Sequence, residues 1–371
     1  MRLTRLALPL AALLAAGCAS GGGPADTPPA TAQPGAAQTP GQAAQPATAW
    51  PVQTREHVDL WLHGYAMLYA DSTRVPYFRR GYRDAMVTAK NRANVVTQLD
   101  ANRERLSQRL AASPPLFNTQ FVAFYFDSWD ELRQAIDWLI RAEGDPRRAS
   151  NVETQRMLVF LAQNFPTAAD RDWLRLFSQS LEDERAKFYH NYWVQAQGSR
   201  GGVVGAVDEL WQRTRPKLQR FLANTQQEGG RILLSLPLGG EGRTVNSGSR
   251  QNTVAVTYPE TAADAAEAVY VFVHEVALNV AATAVRDNIT PAEARSGLGD
   301  RYTSAASVRA AYLVLEKAAP ELAEGYARYY LRAAGVTPGA DARAQLNSTF
   351  VLPQAIREAL ERQIDVVLGG I

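Results

Sequence analysis

The chain has 371 residues, 46% of them hydrophobic and 20% charged, with one cysteine, four histidines and a formal net charge of +2. A single cysteine excludes an internal disulfide framework and any thiolate metal cluster, so a folded body of this size must be held by its hydrophobic core. Nearly balanced charge without a basic block argues against nucleic acid as a partner.

The first twenty residues, MRLTRLALPLAALLAAGCAS, carry a basic start (Arg2, Arg5), an apolar run from Leu6 to Ala16 and a close on small residues before a cysteine. That pattern is a secretory signal peptide over residues 1–17, its apolar run too short for a stable transmembrane span with these flanks. Its end, AAGC, resembles the lipobox of bacterial lipoproteins, with Ala15 where leucine is commoner. The resemblance implies that Cys18 is the lipidated first residue of the mature chain and that acyl chains anchor the protein to a membrane. It further implies export in a bacterium with two membranes. Ala19 and Ser20, where the inner-membrane retention signal has aspartate, imply the outer one. Losing residues 1–17 removes Arg2 and Arg5 and no acid, leaving 37 basic against 37 acidic residues.

Residues 18–49 then form a tether. After Cys18 the segment is mostly Ala, Pro, Gly, Thr and Gln, with Asp26 its only charge. It cannot bury enough apolar area to offset the entropy of ordering, so it is expected to be disordered, reaching ~30 Å as a coil and ~90 Å fully extended.

From Trp50 the composition becomes globular, and residues 50–228 read as a helical region. Apolar periodicity predicts helices over about 55–70 and, as one long element, 78–112. Ser128 and Asn151 stand as N-caps of two more, each with acids in the first turn. The segments TAADRDWLRLFSQSLEDERAKFYHNYWVQAQ and AVDELWQRTRPKLQRFLANTQQ complete the region, with the charge run LEDERAK read as a solvated helix face. QFVAFYF, residues 120–126, is apolar enough to suggest a strand.

Residues 229–371 read as an α+β region, which makes the fold class mainly α, α+β. RILLSLPL (231–238) and NTVAVTYP (252–259) are short apolar runs bounded by Gly, Pro, Asn and Ser, hence strands, joined by the glycine-rich loop GGEGRTVNSGSRQ. Thr261 and Asp264 then approximate a capping box that opens a buried helix to about Arg286. Glu267, His274, Glu275 and Asn279 argue against that helix spanning a membrane.

Within it stands VYVFVHEVALNVAA, residues 269–282. A zinc-binding helix needs histidines at i and i+4 so that both imidazoles reach one ion, and a glutamate after the first to activate a bound water. His274 and Glu275 supply the first half, but Leu278 occupies the place of the second histidine. Asn279 cannot replace it, being rotated about 100° further round the axis.

Two strands, a glycine-rich connection and a buried helix carrying FVHEVAL resemble the core of zincin metallopeptidases over roughly residues 229–334. The resemblance implies zinc as cofactor, His274 as a ligand, Glu275 as general base and a peptide held along the sheet's edge strand. It places a third ligand among Glu293, Asp300 and Glu316, with Glu316 preferred by analogy with gluzincins. Of the remaining histidines, His57 and His63 lie six apart and so on different faces of one helix, either alone able to reach across in space. His190 lies among aromatics and reads as packing.

Three readings follow. The first is an envelope lipoprotein with a degenerate zincin-like core that binds peptide or an envelope component. The second is an active zinc metallopeptidase with a non-standard ligand set, and the third a non-enzymatic helical scaffold. The first is preferred, because an aliphatic side chain in place of an imidazole removes one of the three protein ligands that catalytic zinc sites keep.

Overall fold

The computed structural model describes residues 50–69, 77–246 and 248–369; the expected signal peptide, Cys18 and all of the tether lie outside the described residues. A four-stranded sheet stands between two hydrophobic cores. Its strands are β1 (Val52–Gln53), β2 (Gly230–Ser235), β3 (Arg243–Asn246) and β4 (Asn252–Thr257), in the order β1-β2-β4-β3. β2 runs parallel to β1 and β4, whereas β3 is an antiparallel edge strand paired with β4. Side chains alternate across a strand, and here both sides are apolar. Ile232, Leu234, Val254 and Val256 enter one core, Leu233 and Ala255 the other. Burial on both faces explains why the two strands read as continuous apolar runs.

One face is covered by α1 (Glu56–Leu68), α2 (Tyr82–Arg92), α3 (Gln98–Ala112), α4 (Pro114–Asn118), α5 (Trp129–Arg141), α6 (Val152–Asn164) and α7 (Ala168–Glu184). Trp61, Tyr65 and Phe177 are fully buried at the centre of that core. A π-helical turn, Arg185–Tyr189, joins α7 to α8 (His190–Ser199), and α9 (Val203–Asn224) crosses to the other face. Val207, Trp211, Leu218 and Phe221 of α9 share a core with the C-terminal helices, so the expected boundary at 228/229 runs through packed side chains. Those helices are α10 (Ala266–Asn288), α11 (Pro291–Arg295), α12 (Leu298–Ala318), α13 (Pro320–Ala333), α14 (Ala342–Thr349) and α15 (Gln354–Val367). α10 with its preceding 3-10 turn is long and apolar enough to cross a membrane, but the sheet, α9, α12, α13 and α15 pack around it.

Two sequence expectations are corrected. Residues 120–126 form no strand: Thr119–Tyr125 is a 3-10 helix, with Phe121, Val122, Ala123 and Phe124 all buried. The indole of Trp61 donates to the Thr119 carbonyl at 3.0 Å and holds the turn in place. A short, mostly apolar run that is buried except at Tyr125 carries no periodicity to separate strand from helix. The long helix over 78–112 is broken in the middle. Asn94 takes a left-handed φ of 51°, and Thr97 with Asp100 forms a capping box that starts α3 afresh.

Trp50 is fully buried, with its ring 5.1 Å from that of Phe272 on α10. Gly230 makes room for it. A Cβ there would lie 2.8 Å from the Trp50 ring and 2.2 Å from the Asn252 carbonyl oxygen.

Candidate functional site

Midway along α10, His274 and Glu275 are 5% and 6% exposed, so the surrounding protein must meet their polar atoms. Glu275 Oε1 lies 3.1 Å from His274 Nδ1 and accepts the Gly242 N–H at 3.2 Å. On the far side of the ring, Nε2 is 2.9 Å from Ser307 Oγ on α12, and the Ser307 hydroxyl donates to the Ser304 carbonyl at 2.8 Å. Tyr330 of α13 stacks on the imidazole with centroids 5.1 Å apart, its hydroxyl donating to the Gly240 carbonyl at 3.0 Å. Both ring nitrogens thus have hydrogen-bonding partners, with the donor and acceptor roles set by the tautomer.

The glycine-rich loop is the lid of this arrangement. Gly240 takes the Tyr330 hydroxyl, Gly242 ties Glu275 to the entrance of the edge strand β3, and Glu241 lies between them. Burial pushes the Glu241 carboxyl above its usual range; the Glu275 charge adds to the rise and His274 opposes it. The sequence marked the glycine-rich loop only as a connection, and it singled out neither Ser307 nor Tyr330. Ser307 is 33 residues from His274, and nothing local marks it except a hydroxyl on an otherwise small, apolar helix face.

Ser307, His274 and Glu275 have the layout of a nucleophile, a base and its orienting acid. Ser307, however, is 2% exposed, and the described conformation gives a substrate carbonyl no approach.

The expected third ligands are not brought to the pair. Glu316 follows Ser307 by nine residues on α12, about 13 Å along the axis and on the opposite face. It pairs instead with Arg343 at 2.9 Å and accepts the Tyr312 hydroxyl at 3.3 Å. Glu293 caps α11, accepting the Thr290 N–H at 3.0 Å, and Asp300 is exposed on α12. Leu278 is half-buried and Asn279 exposed. The other histidines serve elsewhere. His57 Nε2 donates to the Phe126 carbonyl at 2.9 Å, and His63 Nε2 lies 3.0 Å from Glu184. His190 is exposed beside Glu56 at 3.0 Å rather than packed among aromatics. Among the described residues no three His, Cys, Asp or Glu side chains form a group that could hold a metal ion. The donor set does not fit a three-ligand zinc centre, because both imidazole nitrogens already have protein partners.

Comparisons with protein-family models, with curated proteins and with solved structures give no match.

Proposed function

We propose that this chain is a lipid-anchored envelope protein whose zincin-like core has closed over its former catalytic centre, and that it acts by binding peptide or another envelope component rather than by hydrolysis. The observation that carries the reading is the fate of His274: one nitrogen faces Glu275, the other Ser307, and Tyr330 covers the ring. The link from Glu275 to Gly242, one residue before an edge strand, favours descent from a peptidase core over an unrelated helical scaffold. In such a core the pair keeps its place beside the strand after its chemistry has gone.

Elemental analysis and peptide-library digestion with the purified chain test this. Zinc should be well below one ion per chain, with no hydrolysis. His274→Ala and Glu275→Gln should lower thermal stability equally with and without chelator. Stoichiometric zinc that disappears in His274→Ala, together with hydrolysis that disappears in Glu275→Gln, would establish the active metallopeptidase instead.

A further inference from the structure

A cleft of about 1020 Å³ opens beside β1, lined by Pro51 and Gln53 as well as residues of α9 and the start of β2. None of the partners of His274 or Glu275 lines it. Four arginines do, Arg55, Arg215, Arg231 and Arg250, against two acids, Asp127 and Glu228. The acids leave the arginines in excess. Arg55 and Arg231 share a single oxygen of Asp127, at 2.8 and 3.2 Å, and Arg250 takes Glu228 at 3.0 Å. The hydrogen bond from Arg55, with that from Arg231, holds the Asp127 carboxyl below its usual range against the opposing effect of burial. Arg215 pairs with no carboxylate among the described residues, and its buried Nε has no hydrogen-bond partner.

A partly buried guanidinium without acceptors is costly, and a buried polar group left unpaired calls for an explanation. An acceptor brought into the cleft from outside would supply what Arg215 lacks. The excess of two positive charges suits a phosphate group, whether a diester monoanion or a monoester dianion, and the planar guanidinium fork matches phosphate oxygens two at a time. The volume far exceeds one phosphate, so the anion belongs to a larger molecule. We propose that this cleft binds a phosphate-bearing ligand, with Arg215 as its central contact and Arg231, Arg55 and Arg250 around it. The site stands whether or not the α10 core descends from a peptidase.

The test is calorimetric titration of the full chain, in non-ionic detergent at low salt, with glycerol 3-phosphate and with glycerophosphoglycerol, and glycerophosphocholine as the zwitterionic control. We expect saturable binding of at least one anionic probe, weakened tenfold or more by Arg215→Gln and by Arg231→Gln. Arg103→Gln, an exposed arginine outside the cleft, should leave binding unchanged. Binding of the monoester alone assigns a soluble phosphate ester, and binding of the diester assigns a phospholipid headgroup. Arg215 holds no partner whose loss would unfold the chain, so Arg215→Gln should melt as the parent does. No saturable binding of either anion, equal binding of glycerophosphocholine, or binding that both cleft variants leave intact overturns the proposal.

Discussion

A Cβ on Gly242 would lie 2.3 Å from the Ala255 carbonyl oxygen and 2.9 Å from Glu275 Cγ, so the loop can close over α10 only without a side chain there. Gly242→Ala must push the loop away from Glu275 or displace β4, at a cost on the order of 1–3 kcal/mol for overpacking. Thermal melting should therefore fall for Gly242→Ala and hold or rise for Gly205→Ala, where a helical glycine has nothing within 4 Å. Ser307→Ala tests the other side of the ring. It leaves Nε2 without its partner, for roughly 1–3 kcal/mol. The motif FVHEVAL was legible because it is local, seven residues on one helix. Its surroundings were not, since Gly242, Ser307 and Tyr330 come from three separate elements, and only packing brings them to one imidazole.

The same distinction between local and assembled information governs the elements. N-caps at Ser128 and Asn151 could be read directly, and each accepts a backbone N–H three residues on. The restart of α3 was also written locally, in Thr97 and Asp100, but amphipathic periodicity on either side obscured it. LEDERAK shows what periodicity cannot see: Glu184 in that charge run is fully buried, not solvated. Its carboxylate lies 3.0 Å from His63 Nε2 on α1 and 2.7 Å from Lys90 Nζ on α2, and Lys90 also reaches Asp100 at 2.6 Å. Burial alone would raise the Glu184 pKa; His63 and Lys90 outweigh it and bring it down to about 2. A depressed carboxylate stabilises the fold above its unfolded value, and that contribution is lost as pH falls through the range from 4.5 to about 2. Acid titration of stability should show this slope, and Glu184→Gln should flatten it. Lys90→Met keeps the aliphatic stem but leaves a buried carboxylate short of a partner, which should cost about 3–5 kcal/mol in denaturant unfolding. An unchanged midpoint in Lys90→Met would mean the network contributes no net stability.

At the scale of the whole molecule, the question is how two cores on opposite faces of one sheet are held in register. Asp59 of α1 is the polar group at that junction. Its Oδ2 accepts the Trp193 indole N–H of α8 at 3.0 Å and the Leu236 amide, just beyond β2, at 3.4 Å. The side chain is 1% exposed. Burial pushes its pKa up to about 7, against the opposing pull of the Ser235 hydroxyl, the Trp193 indole, the Leu236 amide and the Arg200 charge. For an acid whose folded pKa is raised, the native state binds the extra proton, so stability is highest below the unfolded value of 3.8 and falls as pH climbs to about 7. At about 1.4 kcal/mol per unit, the decline attributable to this one group is on the order of 4 kcal/mol. Asp59→Asn keeps an acceptor for Trp193 and Leu236 but cannot ionise. Its stability relative to the parent should therefore rise between about pH 4 and pH 7 and level off above about pH 8. Because Asp59 joins elements from both cores, the change should appear in fluorescence of the tryptophans on either side of the sheet, Trp61 and Trp211, as a single transition. A difference between the two proteins that stays constant with pH would remove Asp59 from this role.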